Sequence, residues 1–188
     1  MAIDWPQLRV LIADDQRFLL GILFHIFKEL GVRSENIHQA TSSEDAAKML
    51  AALPVDIAVC DINMGASSGL HLLRSIRSGQ AQTAKDLPMV FVTGHSDSAT
   101  VKLAQALDAN GFIVKPVAKK QLQAKVEGVL ANRKPLPPGR NYAGVIIELS
   151  EQMKAAAAMD GSTAARQEKA ARALEPTPAK PREEPSAG

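Results

Sequence analysis

The sequence predicts an α/β fold: a five-stranded parallel sheet, doubly wound by helices on both faces. Three observations carry this. Short apolar runs alternate with helix-like segments through the first 133 residues. Those runs show little polar alternation, which suits strands covered on both faces. Acidic, hydroxyl and amine side chains stand where the runs end, the edge at which open parallel sheets bind ligands.

The first run is "RVLIAD" (9–14). "RFLLGILFHIFKELG" (17–31) follows, with apolar residues at helical spacing and a glycine stop. "NIHQA" (36–40) reads as the second strand. "TSSEDAAKMLAAL" (41–53) opens with Thr41 and Glu44 at capping-box spacing, which predicts a helix start there. "VDIAVCD" (55–61) is the third strand and "GLHLLRSIR" (69–77) the third helix. "PMVFVTG" (88–94), "SATVKLAQALDANG" (98–111), "GFIVK" (111–115) and "AKKQLQAKVEGVLANR" (118–133) complete the five pairs.

Residues 1–133 therefore form one domain, and 134–188 a C-terminal tail. The tail starts at "KPLPPGR" (134–140), is expected to be partly helical over about 143–174, and ends in the Pro-rich, disordered "PTPAKPREEPSAG". A chain of 188 residues with 46% apolar content supports one real core plus such an appendage.

Charge and cysteine usage narrow the function classes. Residues 1–131 hold 13 Lys+Arg and 13 Asp+Glu, and the remainder 9 and 7, so neither part has the basic excess that nucleic-acid binding needs. The single cysteine, Cys60, excludes an internal disulfide and fits a reducing compartment. "MAIDWPQLRV" lacks the pattern of a signal peptide and no run of about 18 apolar residues occurs, so a cytoplasmic protein without membrane contact is expected. The histidines His25, His38, His71 and His95 show no metal-ligand spacing.

Asp14 and Asp15 follow the first strand, Asp61 ends the third, Thr93 the fourth and Lys115 the fifth. An ionised acid at the end of a buried strand is costly unless it is paired. Clustered carboxylates repel one another unless a cation sits among them, and Mg²⁺ suits such oxygen donors. A carboxylate fixed beside Mg²⁺ can attack a phosphoryl group and form an acyl phosphate. Mg²⁺ and Lys115 would then neutralise the transferring oxygens, with the Thr93 hydroxyl as a further donor. Cys60 should point to the opposite side from Asp61 and is read as a structural thiol.

On these residues, about 8–131 of the chain resembles the receiver domains of two-component response regulators. The resemblance of "LIADD" implies that Asp14 and Asp15 are metal ligands. That of "CDINM" implies that Asp61 is the phosphoacceptor, with Asn63 giving its backbone carbonyl to the metal. "FVTG" places Thr93, and "GFIVKP" places Lys115 ahead of Pro116, whose peptide bond is typically cis in the family. Phe112 falls at the family's aromatic switch position. The implied strand order is the flavodoxin-like 2-1-3-4-5. The implied partners are a sensor histidine kinase or histidine phosphotransfer protein, which donates the phosphoryl group, and a downstream target protein. The target would read the remodelled surface of the fourth helix, fifth strand and fifth helix.

The chain departs from the family's D-x-x-M-P-x-M-D-G pattern at Gly65, Ser67 and Ser68. Gly65 is expected to loosen the loop beside the acceptor. Ser68 can still cap the next helix.

Two further expectations concern the first helix. Leu19, Leu23, Ile26 and Leu30 form the face expected on the sheet, while Leu20, Phe24 and Phe27 form a second stripe. Exposed, that stripe would dock the donor's helical bundle; the alternative is that residues 143–159, with Val145, Ile146, Leu149 and Met153, cover it. Two other functions stay open. One is an unphosphorylated receiver used as a scaffold. The other is an aspartyl-phosphate phosphatase of the haloacid dehalogenase type, against which stand the adjacent Asp14–Asp15 pair and Asn63, which cannot serve as a general acid.

Overall fold

Strand alternation decides which side chains meet which helices. The computed structural model describes residues 3–64, 67–94, 98–133, 135–142 and 145. In it β1 (Val10–Ala13), β2 (Ile37–Ala40), β3 (Ile57–Asp61), β4 (Met89–Thr93) and β5 (Gly111–Val114) form one sheet in the order β2-β1-β3-β4-β5. Every pairing in that sheet is parallel. The helices are α1 (Arg17–Glu29), α2 (Ser43–Ala52), α3 (Gly69–Ser78), α4 (Ser98–Ala106) and α5 (Lys119–Ala131). This is the flavodoxin-like doubly wound fold that the sequence predicts.

Val10, Ile12, Ile57, Val59, Val90, Val92 and Ile113 pack with Leu20, Leu23 and Phe27 of α1 and with Leu122, Val126 and Val129 of α5. Burying each large apolar side chain here contributes about 1.5–3 kcal/mol. Leu11, Ala58, Cys60, Met89 and Phe91 alternate to the opposite face and are equally buried.

Two boundaries differ from the sequence reading, each for a local reason. The cap of α2 is Ser42, not Thr41: its hydroxyl accepts from Asp45 N at 3.1 Å, which starts the helix one residue later. Helix α4 stops at Ala106 rather than continuing to 111, because Asp108 takes a left-handed turn at φ 56° and Asn110 Oδ1 accepts from Met89 N at 2.8 Å. Helix α3 starts at Gly69 as the sequence predicts, with the Ser68 hydroxyl accepting from Leu70 N at 3.1 Å, and is capped at its end by Gly79, where φ 80° suits a residue without Cβ.

The second stripe of α1 is core. Leu20 and Phe27 are 4% and 0% exposed, and Phe24 is half-buried against the same cluster. Leu20 and Phe27 are therefore not exposed for docking. At 3.6 residues per turn Leu20, Leu23 and Phe27 share one face, which is buried, whereas Phe18, at 78% exposure, faces outward.

Residues 135–142 remain attached to the folded unit through Arg140 and Tyr142. Gly65, His95 and the 143–174 segment lie outside the described residues, Val145 excepted. Among the described residues no helix is long and apolar enough to cross a membrane.

Candidate functional site

Three strands deliver charge to one edge. The side chains of Asp14, Asp61 and Lys115 follow the alternation of Val10 and Ile12, of Ile57 and Val59, and of Ile113, so all three leave the sheet on the same side. There Lys115 Nζ donates to Asp14 Oδ2 at 2.9 Å and lies 3.2 Å from Asp61 Oδ2. Asp14 and Asp61 are buried, while Asp15 faces solvent. One carboxylate oxygen from each acid lies within 4.8 Å of the others.

Local structure fixes each member. Asp14 N donates to Ala40 O at 3.2 Å, and Asp14 Oδ1 accepts from Gln16 N at 2.9 Å, which turns the chain into α1. Lys115 N donates to Thr93 O at 2.8 Å, extending the β4–β5 ladder by one step to hold the lysine level with Thr93. Thr93 is buried. The Lys115–Pro116 peptide bond is cis. Asn63 lies in a short antiparallel hairpin, opposite Ser68, and is exposed.

Electrostatics follow from that packing. Burial pushes the Asp61 carboxyl up; Lys115 pulls it down and Asp14 pushes it up again, with a net upward shift. Burial opposes the charge on Lys115, but hydrogen bonding and attraction to Asp14 and Asp61 outweigh it and raise its pKa. Three acids against one ammonium leave a net negative, oxygen-only donor set. That chemistry fits a hard divalent cation such as Mg²⁺.

Phe112 is half-buried and stacks on Phe91, with ring centroids 6.1 Å apart at 30°. Cys60 lies on the Phe91 side, where its thiol donates to Asp61 O at 3.1 Å. Burial pushes that thiol well up, so it is a packing group and not a nucleophile.

Two residues with close-packed roles are not evident from the sequence: Gly69 beside the site, and Arg77 at the far edge of the sheet. A Cβ on Gly69 would strike the Asp61 carbonyl and come within 2.9 Å of Phe91 and 3.0 Å of Cys60 Sγ. Its signal is a glycine at a helix start beside the loop after Asp61. Arg77 is 2% exposed and donates to the carbonyls of Lys85 (2.6 Å), Leu87 (3.0 Å) and Asp108 (3.0 Å) and to Asn110 Oδ1 (3.0 Å). An arginine in the last turn of a helix gives no signal of burial.

Residues 10–127 match the response regulator receiver domain family, and the chain belongs to it. Over 122 residues it is 30% identical to the chemotaxis protein CheY of Pseudomonas aeruginosa, a match covering 65% of this chain and 95% of CheY. Over 121 residues it is 31% identical to the transcriptional regulatory protein YvrH of Bacillus subtilis, covering 64% of this chain and 48% of YvrH. The match thus spans about half the length of YvrH. The structure of Vibrio cholerae chemotaxis protein CheY4 shares the fold, with TM-score 0.59 and 21% identity over 65% of this chain and 98% of CheY4. A CheY-like receiver domain protein from Methanospirillum hungatei JF-1 gives TM-score 0.60 at 21% identity, covering 67% and 95%.

Proposed function

We propose that this chain accepts a phosphoryl group on Asp61 from a phosphohistidine of a sensor histidine kinase or histidine phosphotransfer protein. It then signals in the cytoplasm through an altered protein-binding surface. The observation that supports this most directly is the Lys115 ammonium held between Asp14 and Asp61, with Asp15 completing the acidic cluster.

In the proposed step an Asp61 carboxylate oxygen attacks phosphorus and the P–N bond to the donor imidazole breaks. The imidazole nitrogen leaves with the electron pair, and an acyl phosphate remains. Lys115, charged because two carboxylates favour its ammonium, offers a donor to the transferring oxygens. The buried Thr93 hydroxyl is a second donor. Asp14, Asp15, Asp61 and the Asn63 backbone carbonyl would hold Mg²⁺. When bound, it supplies charge neutralisation and orientation.

In this reading Phe112 transmits the change. Its ring shares the β4–β5 ladder with Phe91, on the strand that ends at Thr93, so a shift of Thr93 toward a phosphoryl group bears on the aromatic stack. The target is a protein that reads the α4–β5–α5 surface; no nucleic acid is involved.

The test is intact mass of the full chain with Mg²⁺ and acetyl phosphate over time, beside Asp61→Ala and a chelator. The expected result is one phosphoryl adduct that needs both Mg²⁺ and Asp61 and then decays. No adduct overturns the proposal in favour of a scaffold. Donor hydrolysis at high turnover without a lasting adduct overturns it in favour of a phosphatase.

A further inference from the structure

Residues 135–142 cross the edge of the fold and are pinned at one carboxylate. Arg140 Nη1 donates to both Asp108 oxygens at 2.9 and 3.1 Å, and its Nη2 donates to Ala106 O at 2.8 Å. Tyr142, itself buried, donates its hydroxyl to Asp108 Oδ2 at 2.7 Å. The Arg140 guanidinium also lies 5.8 Å from the Tyr142 ring centroid. Asp108 is the sole described non-glycine residue at positive φ, and its carbonyl is anchored from below by the buried Arg77. A residue held in that conformation by α3, and gripped by two side chains of a segment after α5, is a built junction rather than a passing surface contact.

The pinned segment borders a groove of about 780 Å³ between α4, β5 and α5. Leu136 and Pro137 form one wall, with Gln105, Phe112, Lys125 and Asn132 around the rest. Phe112, half-buried, lines the same groove as Leu136 and Pro137 of the segment. The grip is also modest. The Arg140–Asp108 pair is 36% and 25% exposed, and a partly exposed pair plus one phenol hydrogen bond gives a hold far below the stability of a whole domain. Such a junction opens locally while the sheet stays folded.

We propose that residues 135–142 are a latched strap, an intramolecular cover of the α4–β5–α5 groove, whose release at Asp108 governs access to Phe112. In the resting chain this strap walls the groove on one side, and a partner for the same face must compete with it. The inference does not depend on phosphoryl chemistry at Asp61.

The test is hydrogen exchange of the full chain, read by mass spectrometry on peptides covering 138–142, 105–112, β1 and β3. Wild type is compared with an Arg140→Ala/Tyr142→Phe double variant and with Asp108→Asn, which tolerates the left-handed turn. Both variants are expected to exchange about tenfold faster at 138–142 and at 105–112, with β1 and β3 unchanged. Wild type at high salt, which screens the exposed ion pair, is expected to move in the same direction and needs no substitution. Unchanged exchange at 138–142 in all three conditions overturns the latch. Faster exchange at 138–142 with 105–112 unchanged overturns the cover.

Discussion

The Lys115 ammonium lies 3.2 Å from an Asp61 carboxylate oxygen, joining the ends of two strands that are not neighbours in the sheet. The same ammonium donates to Asp14 at 2.9 Å, so one cation serves two buried acids.

Removing that cation should therefore leave two uncompensated buried carboxylates. In a chelator, Lys115→Met is expected to destabilise the fold by about 3 kcal/mol, read from the urea midpoint, and added Mg²⁺ is expected to restore part of the loss. The pH dependence has a definite sign. A lysine whose folded pKa is raised gives stability that is complete below its ordinary value of 10.5 and lost as pH climbs through the folded value. The wild-type advantage over Lys115→Met from this group should thus hold through neutral pH and fall only above 10.5.

Asp61 carries the opposite cost. Burial first, and Asp14 in addition, raise its pKa despite Lys115, so its ionisation weakens the fold once pH exceeds the ordinary carboxylate value. Asp61→Asn in a chelator is expected to raise Tm by about 2–4 °C at neutral pH. The gain should shrink as pH falls through the folded pKa and vanish below 3.8, which calorimetry at several pH values checks. A variant less stable than wild type at neutral pH would contradict this.

Gly69 allows α3 to sit against the end of β3. Gly69→Ala places a methyl group against the Asp61 carbonyl and the Phe91 ring, both rigid neighbours. A loss of about 2 kcal/mol in denaturant unfolding is expected, since overpacking forces a backbone shift.

The first helix carries both buried and exposed large apolar side chains. Leu20→Ala should cost about 3 kcal/mol, because the side chain is 4% exposed in the main core. Phe18→Ala should stay within about 0.5 kcal/mol, because Phe18 is 78% exposed. If α1 docks the donor, Phe18→Ala slows transfer from a phosphorylated histidine phosphotransfer domain and leaves labelling by acetyl phosphate unchanged.

The fold and the charged edge were legible in the sequence because both rest on local pattern. Apolar strands such as "VDIAVCD" and helices between them define the winding, and residues at strand ends must meet at one edge, as Asp14, Asp61 and Lys115 do. What was not legible depends on partners distant in sequence. Helical spacing puts Leu19 on the sheet face and Leu20 in the stripe beside it, whereas Leu20 is buried and Leu19 only half-buried. Arg77 reads as a surface cation until four acceptors from two other loops close on it. "KPLPPGR" has the composition of a linker, yet Arg140 within it finds Asp108, 32 residues earlier.

The most direct test of the central claim is to locate the phosphoryl group. Acyl phosphate formed with Mg²⁺ and acetyl phosphate is trapped by borohydride reduction, which converts the modified aspartate to homoserine, and the peptides are sequenced by mass spectrometry. The account predicts conversion at Asp61 alone, abolished in Lys115→Met without Asp14 or Asp15 taking its place. Conversion at Asp14 or Asp15, or none at Asp61 under conditions that phosphorylate the chain, would contradict it.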